Sequence, residues 1–226
     1  MDEAEKRRVI RDAATIVLLR VRDGEHQVLM GQRGAGAVFM PNKYVFPGGA
    51  VDVQDYDVVP ATPLGELDEQ RLNHLAPNGI ASALAMAAIR ELWEETGLML
   101  AQKGDTSRAI PLDWQGFYDQ GLAPRADSLR FFFRAITPPG RTRRFDARFF
   151  IADSTFVHGS DEDFSDASDE LGHLHWIDLI EAKTLDLPFI TEVVLSEVIA
   201  ITKDPDAPRK TPFFHHDEER SHFTLF

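Results

Sequence analysis

Arg90-Glu91-Leu92-Trp93-Glu94-Glu95-Thr96-Gly97-Leu98 is the stretch of this chain that says most about it. It closes a run from Ile80 to Thr96 that reads as the best helix in the sequence: Ala is abundant, Asn78 is placed to cap the start, and Gly97 stands where a helix stops. On a helix, Glu91, Glu94 and Glu95 fall at i, i+3 and i+4 and share one face. Ile89, Leu92, Trp93 and Thr96 form a stripe on another face, suited to burial against a sheet. Three carboxylates this close repel one another, and their position toward a helix C-terminus adds an unfavourable dipole interaction. A hard divalent cation reverses that penalty, because Mg2+ and Mn2+ prefer carboxylate oxygens and water. Taken alone, the same residues also read as a solvated Glu-rich face with one Arg90–Glu94 pair. Upstream, Phe46-Pro47-Gly48-Gly49 shifts the balance toward a site, since two glycines let backbone approach a ligand and expose carbonyl oxygens to it.

Outward from this helix the chain reads as one domain of 226 residues with no repeat and no low-complexity tract. Ala13–Val21 and His26–Gln32 read as two strands joined at Asp23-Gly24, followed by a glycine- and proline-rich loop from Gly34 to Gly49. Residues 53–78 are polar, carry Pro60, Pro63 and Pro77, and look like an insertion between two parts of one motif. Because they leave and return near the glutamates, they are expected to wall the cleft. Strand-like runs follow at Leu129–Ile136, Arg148–Ala152 and Leu171–Ile177, then a helix over Pro188–Thr202 and a tail, 204–226, without a clear period. Strands and helices without regular alternation place the chain in the α+β class.

Composition narrows the function. With 24 Lys plus Arg against 37 Asp plus Glu, the net charge is −13, which argues against broad binding to a nucleic-acid backbone. Zero Cys excludes a disulfide framework, a Cys-ligated zinc and a Cys nucleophile. The apolar run Ala13–Leu19 ends at Arg20, too short for a membrane span, so a cytoplasmic protein is expected.

At this point the sequence resembles the Nudix hydrolase family, whose box reads G-x5-E-x7-R-E-U-x-E-E-x-G-U with U bulky and aliphatic. Arg90, Glu91, Leu92, Glu94, Glu95, Gly97 and Leu98 match its second half, and Gly49, after Phe-Pro-Gly, matches its opening. Counting back eight residues from Arg90, the box Glu falls on Ser82. About 40 residues separate Gly49 from Arg90 where the family has about 13, which is similar to an inserted-box group that includes CoA diphosphatases. Arg144-Phe145-Asp146-Ala147-Arg148-Phe149-Phe150 also looks like a stretch of that group. The resemblance covers roughly residues 10–205 and implies an α/β/α sandwich with a mixed sheet and a catalytic loop–helix–loop. It further implies Mg2+- or Mn2+-dependent hydrolysis of a small-molecule substrate, a nucleoside diphosphate linked to another moiety, without membrane or nucleic-acid partners. A homodimer is among the assemblies it allows. Carried over by position, Glu91, Glu94 and Glu95 are metal ligands with the Gly49 carbonyl, Glu91 is also a candidate base, and Arg90 orients the glutamates. A second reading is a Nudix-fold module that senses a nucleotide without cleaving it.

Other residues stay open between a role and a plain surface position. Asp52 and Asp55 follow Gly49 and supply either a loop carboxylate or a solvated turn. Arg33 meets a phosphate or is a surface charge. Arg143, Arg144 and Arg148 are the densest basic group, able to clamp a pyrophosphate, unless Arg148 pairs with an acid across a sheet. Glu170 is a base candidate from outside the box or an exposed strand-end carboxylate. His173 and His175 alternate on one strand and read as packing or solvent residues. The CoA-type pattern L-L-T-x-R-[SA]-x3-R-x3-G-x3-F-P-G-G aligns without gaps onto Leu29–Gly49, with Arg33 on its first Arg, Val38 on its second and Asn42 on its Gly. Val38 cannot hold a 3′-phosphate, so only a modest preference for CoA over its 3′-dephospho form is expected.

Overall fold

The computed structural model describes residues 9–37, 40–74, 76–77, 79–104, 109–217 and 220–226; Val38 and Asn78 lie outside them. Strand β1 (Ile10–Arg22) turns at Asp23-Gly24 into β2 (Glu25–Arg33), followed by β3 (Tyr44–Val45) and β4 (Gly48–Ala50). The segment after β4 holds a 3-10 turn at Val53–Tyr56 and helix α1 (Glu66–Leu72), then α2 spans Ile80–Thr96. Next come β5 (Ala101–Lys103), the single turn α3 (Gln115–Tyr118) and β6 (Leu122–Pro124). β7 (Arg130–Ile136), β8 (Arg144–Asp153) and β9 (Leu171–Asp178) follow, then α4 (Phe189–Lys203), β10 (Pro212–His216) and β11 (Ser221–Leu225).

Among the described residues nine strands form one mixed sheet in the order β11-β10-β7-β8-β1-β2-β3, with β4 also on β1 and β9 also on β2. β1 runs parallel to β8 and antiparallel to β2 and β4. Its side chains alternate between two cores, as period two requires. Ala14, Ile16 and Leu18 join Leu29, Phe131 and Phe150 against Leu84, Ile89 and Leu92 of α2. Val17 and Leu19 join Val28, Met30, Phe133 and Phe149 against Val194, Leu195, Val198 and Ile201 of α4. Each of the larger of these side chains stabilises the fold by about 1.5–3 kcal/mol. The result is the expected α/β/α sandwich.

Three features differ from the sequence reading. β8 begins at Arg144, four residues before the expected start. The tail without a period forms the hairpin β10–β11, whose first strand pairs in parallel with β7 and buries Phe213. His173 and His175 do not share one face by simple alternation: β9 bulges opposite the Met30–Gln32 segment, and His173 adopts a left-handed φ of 49°. Asn42, where the CoA-type pattern has Gly, has a φ of 61°, a conformation Asn tolerates better than most residues.

Candidate active site

The helix that carries the glutamates ends at Gly97, whose φ of 79° is the left-handed stop position, with its N–H on the Trp93 carbonyl at 2.7 Å. The Phe-Pro-Gly-Gly loop is zipped to β1: Ile16 donates to Pro47 O at 2.9 Å, Ala14 pairs with Gly49 and Val51 donates to Asp12 O at 2.9 Å. This fixes the loop beside the last turns of α2. Gly48 N–H donates to Glu95 Oε2 at 2.8 Å. A Cβ at Gly49 would overlap the Glu91 carboxylate, so only glycine leaves room for that side chain.

Arg90 is the hub. It makes a two-pronged bond to Asp55, Nε and Nη2 each at 3.0 Å, and Nη1 donates to Glu91 and Glu94, each at 2.9 Å. Its Nη2 also reaches the Ala50 carbonyl at 3.0 Å, so one side chain ties the helix to the loop and to the turn Val53–Tyr56. Asp55 is fully buried and takes a further bond from Trp114 Nε1 at 3.2 Å. It is therefore neither a solvated turn residue nor a free loop carboxylate, and Asp52 instead caps the 3-10 turn through Gln54 N–H. Ser82 lies elsewhere on α2, beside Pro60, Pro63 and Glu69. Counting six forward from Gly49, the box acid falls on Asp55, so the insertion lies after that position. Neither Asp55's burial nor Trp114 was anticipated; the Gly-x5-acid spacing was the signal for the first, and no local signal marks the second.

Burial pushes the Glu91 carboxyl up to about 7, with Arg90 pulling it down and Glu94 and Glu170 pushing it further. Burial likewise raises Glu94, and it raises Glu95 well above the ordinary carboxylate range, helped by Glu91. For Arg90 burial works against the charge, yet the bond to Asp55 and the surrounding carboxylates hold its proton above the usual value.

Glu170 joins these groups from the loop before β9. Arg33 Nη2 donates to Glu170 Oε1 at 2.9 Å, and both residues influence Glu95. The acidic loop that delivers Glu170 is fastened at both ends. Trp176 Nε1 donates to Asp161 O at 2.8 Å beneath Arg20, whose guanidinium sits 4.4 Å from the indole, and Ser168 N–H donates to Glu94 O at 3.1 Å. Arg143 and Arg144 are not brought to this cluster by any ion pair among the described residues. Arg144 pairs with Ile10, four residues along β1 from the rung that holds Gly49 (about 13 Å of extended strand), and donates its Nε to Thr137 O at 3.1 Å. Arg148 is buried and pairs with Asp12 and Asp146, the cross-sheet arrangement. His175 packs edge-on against Tyr44.

The donors suit a hard cation. Glu95 Oε1 is buried without a partner, and burial raises the proton affinity of the crowded carboxylates, a bias that positive charge beside them would reverse. Among the described residues no three acidic or histidine side chains are gathered tightly enough to hold an ion as they stand. Nor is any described helix long and apolar enough to cross a membrane.

A sheet between two helical layers, with a glycine loop clamped onto a Glu-rich helix end, defines the Nudix fold. No family model matches the chain. It is 34% identical over 152 residues to putative nudix hydrolase 7 of Caenorhabditis elegans, covering 62% of this chain and 43% of that protein. It is 29% identical over 131 residues to the acyl-coenzyme A diphosphatase NUDT19 of Gallus gallus, covering 43% of this chain and 34% of that one. The chain thus spans less than half the length of these curated relatives. Among solved structures, a Nudix hydrolase from Alicyclobacillus acidocaldarius aligns with a TM-score of 0.61 and 26% identity, over 85% of this chain and 92% of that one. In sequence and in fold the chain is similar to Nudix hydrolases.

Proposed function

We propose that this chain is a divalent-metal-dependent hydrolase of the diphosphate bond in a nucleoside diphosphate linked to a second group. The observation that carries the reading is the trio Glu91, Glu94 and Glu95, held by Arg90 against the Gly48–Gly49 loop. These carboxylates, with the Gly49 carbonyl, would hold Mg2+ or Mn2+, and a bound ion supplies charge neutralisation at the phosphate oxygens. Arg33 meets a substrate phosphate, and Glu170, with Glu91 as the second candidate, accepts the proton of the attacking water. The name of one relative, the acyl-coenzyme A diphosphatase of Gallus gallus, supports a CoA or acyl-CoA substrate as the finer reading.

The test is a hydrolysis panel of CoA esters, ADP-ribose, nucleotide sugars, dinucleoside polyphosphates and nucleoside triphosphates, each with and without the metal. Glu94→Gln and Glu95→Gln should each lower turnover about 100-fold or more while the fold survives. Near-normal rates in both would sink the assignment. Comparing kcat/KM for CoA and 3′-dephospho-CoA checks the finer reading: a modest preference is expected, and one above about 100-fold would show that the 3′-phosphate is read. A nucleotide sensor would instead bind a panel member tightly and release it unchanged.

A further inference from the structure

Arg33 ends β2 and pairs with Leu171, the first residue of β9, which sets Glu170 directly beside it. It lies on the same strand face as Leu29, whose side chain enters the α2 core, so its guanidinium is on the glutamate side of the sheet. Nη2 is spent on Glu170 at 2.9 Å. Nε is buried without a partner, and Nη1 makes no hydrogen bond among the described residues and is not enclosed. Glu170 itself is 56% exposed in its side chain, so the pair adds little to stability. An arginine that holds a half-exposed carboxylate with one nitrogen and offers another to solvent, beside a carboxylate cluster, is better suited to a ligand than to bracing the fold.

We propose that Arg33 is a two-handed positioning residue: one terminal nitrogen holds the Glu170 carboxylate and the other receives a phosphate oxygen of the substrate, so that binding the diphosphate and aiming the base are a single event. The inference rests on the hydrolase reading above. In the step it serves, water oxygen forms a bond to phosphorus and gives one proton to Glu170. The bridging P–O bond breaks, and its electron pair leaves with the departing phosphate. Arg33 holds Glu170 on the glutamate side of the sheet, close enough for its charge to act on Glu91 and Glu95, so its carboxylate stands at the edge of that cluster. Without Arg33 the carboxylate would swing free, and the phosphate would lose a charge-assisted contact at the same time.

The test is a mutant cycle on the full chain, with Mg2+ or Mn2+ and the panel substrate it turns over. Glu170→Gln should lower kcat about 100-fold or more and leave KM within about threefold. Arg33→Gln should both lower kcat and raise KM, each about tenfold. Arg33→Lys should recover part of KM but not kcat, because one ammonium cannot serve two partners in a fixed fork. In the Glu170→Gln background, Arg33→Gln should raise KM alone. Equal kcat losses from Arg33→Gln in both backgrounds, or an effect on KM only in the native background, would overturn the proposal. Unfolding midpoints of all variants should coincide within error, since a pair whose carboxylate is half-exposed adds little to stability; a lowered midpoint for Arg33→Gln assigns it to the fold and overturns the proposal too. A native protein that cleaves no panel member overturns the hydrolase reading, and this inference with it; turnover with uncoupled variants overturns this inference alone.

Discussion

At the scale of single residues, the Asp55–Arg90 pair holds the site in shape. Removing one partner of a buried, hydrogen-bonded ion pair leaves an uncompensated charge, so Asp55→Asn should cost about 3–5 kcal/mol, measured by urea unfolding. A loss below 1 kcal/mol would mean that Trp114 and the backbone hold Arg90 without it. The Glu91 carboxyl makes a second prediction, about pH. Its protonation midpoint is about 7 in the fold against an ordinary 4.5, so the folded state holds the proton more tightly. Stability from this group is therefore lost as pH rises from about 4.5 through about 7. The metal-free chain, kept so with a chelator, should gain stability on acidification from about pH 8 to 6, and Glu91→Gln should flatten that slope. An unchanged slope in the variant would refute the assignment.

At the scale of elements, the helix Ile80–Thr96 was legible to the residue, because its 3.6 period, its alanines and its glycine stop are all local. The loop was legible too, as a run of breakers. What stayed hidden depends on contacts across the chain. Asp55 reads as a turn residue until its distance from Gly49 is counted, and its burial is decided by Trp114, 59 positions on. The Arg33–Glu170 pair spans 137 positions. The bulge at His173 leaves no mark on a strand pattern that still alternates. Gly97 offers the test at this scale: its φ of 79° and the 3.3 Å approach to Asp166 leave poor room for a Cβ. Gly97→Ala should lose about 1–2 kcal/mol and loosen the acidic loop together with the helix end, seen as faster amide exchange in both.

At the scale of the whole molecule, the sheet divides the apolar interior into two cores with different duties. One packs beneath the glutamate helix, the other beneath α4. The α/β/α arrangement was expected from the resemblance, whereas the C-terminal hairpin was not. Its second strand is mostly exposed, so no hydrophobic alternation survives for a reader to find. Yet Phe213 is buried, and the Arg134 guanidinium lies 4.6 Å from its ring centroid. Phe213→Ala should cost about 3–5 kcal/mol in urea unfolding, as a core position does. A neutral result would show the hairpin to be an appendage.

The double fastening of the acidic loop bears on the entropy of the proposed catalysis. Glu170 lies between the anchor at Ser168 and the first residue of β9, Leu171, so it has little chain in which to wander and stays beside the glutamates when the proposed substrate arrives. The ordering of that segment is met once, during folding, and does not recur with each substrate that arrives. Cutting the Trp176 tether would move that cost into every cycle of the proposed reaction, slowing turnover while leaving the proposed metal ligands Glu91, Glu94 and Glu95 where they are.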